Sequence, residues 1–151
     1  MLKNVDPLLY PELLKVLAEM GHGDEVVLAD ANFTGMSLGK GKPVLQLPGI
    51  GVARACAAVL SVFPLDAAVT QPIAYMQVSD TPEGYRSALQ RQVIDALVAR
   101  GEASSAQCEP IERFAFYERV KGAYAIVQTG ELQPYANFIF KKGVLTPGLQ
   151  A

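Results

Sequence analysis

Short β-branched runs alternate along this chain with segments of helical spacing, and that alternation most constrains its fold. Val26, Val27, Leu28 and Ala29 form an unbroken apolar run, too short for a helix, that reads as a strand buried on both faces. Residues 44–47, 67–70, 73–78, 124–128 and 137–140 read as further strands. Pro11 and Glu12 open a helix, because proline suits the first helical position and glutamate complements the helix dipole. Leu13, Leu14, Val16, Leu17 and Met20 then recur at helical spacing, and Gly21 stops them. Residues 30–43 read as a loop, and residues 49–63 as an alanine- and valine-rich helix stopped by Pro64. Thr81, Pro82 and Glu83 signal a helix running to Arg100, with Gly101 as its stop, and residues 111–121 read as a helix aromatic on one side. Strands alternating with helices predict an α/β fold: a single compact domain over residues 1–151, its sheet covered by helices.

Composition narrows the function. Half of the 151 residues are hydrophobic, enough for one domain with a proper core. A net charge of −2 with no basic stripe argues against nucleic acid as a partner. No apolar run approaches the roughly 20 residues that a membrane helix needs, so no membrane partner is expected. The opening Met-Leu-Lys-Asn-Val-Asp-Pro lacks the apolar core of a secretion signal, and a cytoplasmic location is the expectation. Cys56 and Cys108 lie far apart, which supports neither a disulfide framework nor a thiolate metal site. Residues 48–54 hold two glycines of a dinucleotide fingerprint but lack the third. No cofactor and no metal are expected.

The residues able to do chemistry are few. His22 is the chain's one histidine and sits between Gly21 and Gly23, just past a helix end. Imidazole gives and takes protons near neutrality, so His22 is either an acid/base group or a loop residue closing the helix. Asp24 stands two residues on and could orient it. Asp30 ends the first strand, where α/β proteins place ligands, and could accept bonds from hydroxyls or merely cap a turn. Five strand residues span roughly 16 Å at about 3.3 Å each, so His22 and Asp30 do not reach one small ligand within one subunit unless the strand bends. Arg113 precedes an aromatic stretch, and at helical spacing it shares a face with Phe116 or Tyr117. Tyr135, Ala136 and Asn137 lie where a turn enters the last strand, and tyrosine and asparagine offer the neutral hydrogen bonds that hydroxyls need. A metal-free, polar set of this kind fits a ligand rich in hydroxyls.

Three stretches carry a resemblance. Residues 11–25, with their Gly-His-Gly-Asp-Glu ending, the segment Arg113-Phe114-Ala115-Phe116-Tyr117-Glu118-Arg119, and Gly130-Glu131 followed by Tyr135, Asn137 and Lys141-Lys142-Gly143-Val144 resemble the RbsD/FucU family. Within it they are more similar to bacterial L-fucose mutarotases than to D-ribose pyranases. The resemblance implies an RbsD-like α/β fold without a cofactor, assembled as ring-shaped homo-oligomers, often decamers, with sugar sites near subunit contacts. It implies an isomerase that interconverts the anomers of a monosaccharide by acid/base ring opening and closure. His22 falls on the acid/base position, and Asp30, Arg113, Tyr135, Ala136 and Asn137 fall on sugar-binding positions. Ala136 stands where fucose mutarotases carry glycine and ribose pyranases alanine, and Asn32 replaces a frequent histidine. A D-ribose-type pyranase and a non-catalytic sugar-binding or transport-linked subunit are the alternatives.

Overall fold

The computed structural model describes residues 1–148. Six strands form one sheet: β1 (Glu25–Ala29), β2 (Val44–Leu47), β3 (Ile73–Met76), β4 (Cys108–Ile111), β5 (Ala125–Thr129) and β6 (Phe138–Lys141), in the order β2-β5-β1-β6-β3-β4. β1 runs parallel to β5, β5 to β2, and β3 to β4. β6 alone is antiparallel, and it pairs with both β1 and β3. The carboxyl ends of five strands and the amino end of β6 therefore share one edge of the sheet.

Helices cover both faces, as the alternation of strands and helices implies. α1 (Pro11–Glu19), α3 (Val52–Leu60) and α4 (Ala88–Ala99) pack on one face, against Val26, Leu28, Val127, Phe138 and Phe140. A one-turn helix α2 (Gly35–Leu38) and α5 (Arg113–Lys121) cover the other, where Val27, Ala29, Ile126 and Ile139 meet Phe33, Phe116 and Val120. Neighbouring strand residues thus bury to opposite faces, which is why the strands read as continuous apolar runs.

The structure departs from the sequence reading at four places. Residues 67–70 are not a strand: the Asp66 carboxylate accepts from Ala68 N at 3.0 Å and folds them into a turn. The helix expected from Thr81 begins at Ala88, because Ser87 and Gln90 form a reciprocal capping box, while Asp80 and Gly84 turn left-handed before it. Ile111 belongs to edge strand β4, and α5 starts at Arg113, where Glu112 Oε2 accepts from the amides of Phe114 and Ala115. The stretch read as loop over residues 30–43 contains α2.

Two contacts aim α5. Arg119 pairs with Glu25 of β1 at 2.5 Å and with Glu109 of β4 at 2.6 Å. Lys42 Nζ donates to the carbonyls of Val120 and Lys121, both at 2.8 Å, closing the helix's carboxyl end. The amino end of α5, with Arg113, is left at the common strand edge. The loop between β5 and β6 is pinned by a glycine: a Cβ on Gly130 would lie 2.5 Å from Gly49 N. Gly130→Ala is accordingly expected to lower unfolding free energy by about 1–3 kcal/mol, read by urea denaturation.

Candidate sugar-binding site

At the common strand edge, Asp30, Asn32, Phe33, Met76, Arg113, Tyr117, Pro134, Tyr135 and Asn137 line a cleft of about 230 Å³. Pockets for drug-sized ligands run to roughly 300–1,000 Å³, so this one suits something smaller. It gathers the ends of β1 and β3 with the start of α5 and the loop that leads from β5 into β6.

Asp30 forms the floor and is 5% exposed. Its Oδ1 accepts from Asn32 N at 3.0 Å, and its own amide donates to Asn137 Oδ1 at 2.8 Å. Burial pushes the Asp30 carboxyl above its ordinary value, against the opposing pull of the Asn32, Ala136 and Phe33 amides and the Asn137 side chain. Ala136 is itself buried, and its amide serves Asp30. Asn137 turns its whole amide to Asp30: Oδ1 accepts from the Asp30 amide and the NH₂ group supports the Asp30 carboxylate, with Nδ2 also 3.8 Å from Met76 Sδ, a weak acceptor. Tyr135 adopts φ +58°, a left-handed backbone that brings Pro134 and Tyr135 around the cleft. Arg113 Nε donates to Tyr117 OH at 3.0 Å, and the guanidinium lies 5.3 and 5.5 Å from the Phe114 and Tyr117 ring centres. The arginine is thereby held between two aromatic rings at the mouth.

His22 is not in this cleft. It precedes β1 and stands at the opposite edge of the sheet, with its side chain 51% exposed. The carboxylate that meets it is Asp66 and not Asp24: His22 Nε2 lies 3.1 Å from Asp66 Oδ1, while Asp24 Oδ2 accepts from Gly21 N at 2.7 Å and closes the turn. Asp66 is 6% exposed, and the Ala68 amide, followed by His22, holds its carboxyl below the usual range. With Nε2–H donating to Asp66, the lone pair of His22 falls on Nδ1. Sequence reasoning missed Asp66 as well as Phe33, Met76 and Pro134. Of the two aromatics that helical spacing offered as partners for Arg113, Tyr117 is the one at the cleft, and Phe116 is buried in the core.

Among the described residues, no group of three or more His, Cys, Asp or Glu side chains could hold a metal ion, and no helix is long and apolar enough to cross a membrane. Cys56 and Cys108 are free and buried, and burial pushes the Cys108 thiol up to about 11.

An α/β sheet with a small polar cleft at its strand ends defines the class, and sequence comparison gives the family. The pattern of the RbsD / FucU transport protein family matches residues 3–145, and the chain belongs to that family. It is 46% identical over 144 residues to an L-fucose mutarotase of Actinobacillus pleuropneumoniae serotype 5b (strain L20), covering 95% of this chain and 97% of that protein. Its fold matches the crystal structure of the Streptococcus pneumoniae fucose mutarotase in complex with L-fucose with a TM-score of 0.85 and 36% identity, over 96% of this chain and 100% of that one. Bacillus subtilis RbsD complexed with D-ribose matches at a TM-score of 0.70 and 25% identity, over 97% of this chain and 100% of that one.

The buried Asp30 has a stability consequence. Its native carboxyl pKa lies above the unfolded value, so ionisation costs the folded state. That cost is absent below the ordinary aspartate range and complete above the raised native value. Asp30→Asn is expected to raise the melting temperature by about 2–4 °C at neutral pH, and the gain should vanish on melting near pH 3.

Proposed function

We propose that this protein is a sugar mutarotase, an isomerase that interconverts the α and β anomers of L-fucose by opening and reclosing the ring. The observation that carries this reading is a small polar cleft and a separate histidine–aspartate dyad, in a chain 46% identical to an L-fucose mutarotase over 95% of its length. Asp30, Arg113, Tyr135, Asn137 and the Ala136 backbone hold the sugar, as one mutarotase domain spanning residues 1–151 would require. Ring opening needs a proton at the ring oxygen and loss of the proton on the anomeric hydroxyl. Protonated His22 supplies the first, and neutral His22 takes it back when the ring closes on the other face. Asp66 holds the imidazole in place through the 3.1 Å contact at Nε2. The anomeric proton leaves to water at the cleft mouth on opening, and water returns a proton to the new anomeric oxygen as the ring recloses. Aligning the open-chain aldehyde for reclosure is the work of the hydroxyl contacts.

The cleft and His22 lie at opposite sheet edges, so the site is completed by a second copy, and the protein works as a homo-oligomer. The surfaces support a head-to-tail contact. Met36, Phe114 and Leu132 are exposed on the segments that carry the cleft. On the side of His22, Leu14, Leu17, Val62, Pro64 and Leu145 line an apolar groove of about 400 Å³. Two different patches in contact make a heterologous interface, the kind that builds a ring when the rotation between copies closes. A ten-membered ring is the proposed assembly. Two free cysteines and sugar-metabolising relatives favour a cytoplasmic setting.

Saturation-transfer NMR on the anomeric protons of L-fucose and D-ribose tests the activity. Faster exchange for L-fucose is expected, reduced about 10²–10⁴-fold in His22→Ala. Preference for D-ribose would make the protein a pyranase, and acceleration of neither sugar a binding subunit. A shared site has its own signature. His22→Ala and Asp30→Asn proteins, each inactive, should regain activity when co-assembled, at about one site in four by random pairing. Full inactivity of the mixed oligomers would place both groups in one subunit.

A further inference from the structure

Gln90 belongs to α4, outside the cleft, and is 0% exposed. Its neighbours Leu89, Val93, Ile94 and Leu97 are apolar and buried, so packing alone does not call for an amide here. A buried amide must be fully bonded, and this one is. Its oxygen accepts from Ser87 N at 3.0 Å. Its NH₂ group donates to Met76 O at 2.8 Å and to Tyr135 O at 2.9 Å. Both carbonyls belong to residues that line the cleft.

The place is one where the sheet comes apart. Met76 N donates to Asn137 O at 3.1 Å, the last backbone bond between β3 and the approach to β6. Two residues before Asn137, Tyr135 sits at φ +58° and the backbone swings away. The Gln90 amide bridges the gap as one more rung, built from a side chain. Its reach continues inward, since Asn137 Oδ1 holds the amide of Asp30.

The geometry points to Gln90 as a positioning residue for the cleft: its side-chain amide clamps the Met76 and Tyr135 carbonyls and so aims Tyr135 and Asn137 at the bound sugar. This rests on the mutarotase reading. On that reading Tyr135 and Asn137 hold hydroxyls from the cleft wall, while the proton is handled by His22 of another copy. Loosening them removes binding common to ground and transition states, which raises KM and spares kcat.

The test is Gln90→Met, close in volume but without the donors, assayed by saturation transfer over a range of L-fucose concentrations. Circular dichroism and thermal melting establish that the variant is folded at the assay temperature. KM is expected to rise about tenfold with kcat within about twofold of the parent, the reverse of His22→Ala. A folded Gln90→Met with the parent's KM, beside an active parent, overturns the proposal alone. A parent that accelerates no sugar overturns the mutarotase reading and this proposal with it. The parent also provides a check that needs no variant. The Gln90 side-chain NH₂ resonances should be protected from solvent exchange and should shift as L-fucose saturates the cleft. Resonances that stay in place at saturation overturn the proposal.

Discussion

Everything in this structure hangs on β6. It is the one antiparallel strand, and it hydrogen-bonds on one side to β1 and on the other to β3. Without it the sheet would be two parallel pieces, β2-β5-β1 and β3-β4. Phe138, Ile139 and Phe140 are completely buried, with the phenylalanines under α1, α3 and α4 and the isoleucine under α5. The same strand reaches both functional regions. Asn137 enters it from the cleft and anchors Asp30. Where it leaves, Lys141 O accepts from Asp66 N, Lys142 O accepts from Gly23 N, and Lys142 Nζ caps the end of α1 through Leu17 O and Met20 O. One strand thus sets the cleft at its start and the His22–Asp66 pair at its finish.

The division between these two regions follows from strand direction. Loops at the carboxyl ends of parallel strands diverge and leave room for a ligand. Asp30, Tyr135 and Asn137 lie there because β1 ends and β6 begins at the same edge. His22 lies before β1, so no side-chain rotation can carry it across the sheet. The cleft is also built on side chains bonded to backbone. Gln128 donates to the carbonyls of Ala31 and Phe33 on one wall, as Gln90 does to Met76 and Tyr135 on the other. Amide side chains fasten loops that have no ladder partners of their own.

How much of this could be read from the chain depends on how local each cause is. The run Val26 to Ala29 was legible because burial on both faces leaves an apolar signature with no polar interruption. Arg113, Tyr135 and Asn137 stood out by residue type, and the structure brings all three to the cleft with Asp30. Asp66 was invisible, since 44 residues separate it from His22 and it is brought near by the pairing of Leu65 and Asp66 with Lys141 and Lys142 at the end of β6. The same aspartate undid the strand expected over residues 67–70, because its bond to Ala68 N outweighs the apolar pattern. At α4, Thr81 and Pro82 gave a plausible start, but the Ser87–Gln90 box lay further on and fixed the real one.

The position of β6 in the chain has a consequence for synthesis. It is the last of the six strands to leave the ribosome, yet it fills the middle of the sheet. Until residue 138 emerges, β1 and β3 each present an open hydrophobic edge, flanked by finished helices with little to pack against. A nascent chain of this topology collects its parts early and closes late, through pairings distant in sequence. Its most vulnerable interval is therefore the one just before β6 emerges, when two unpaired central strands are most available to another chain.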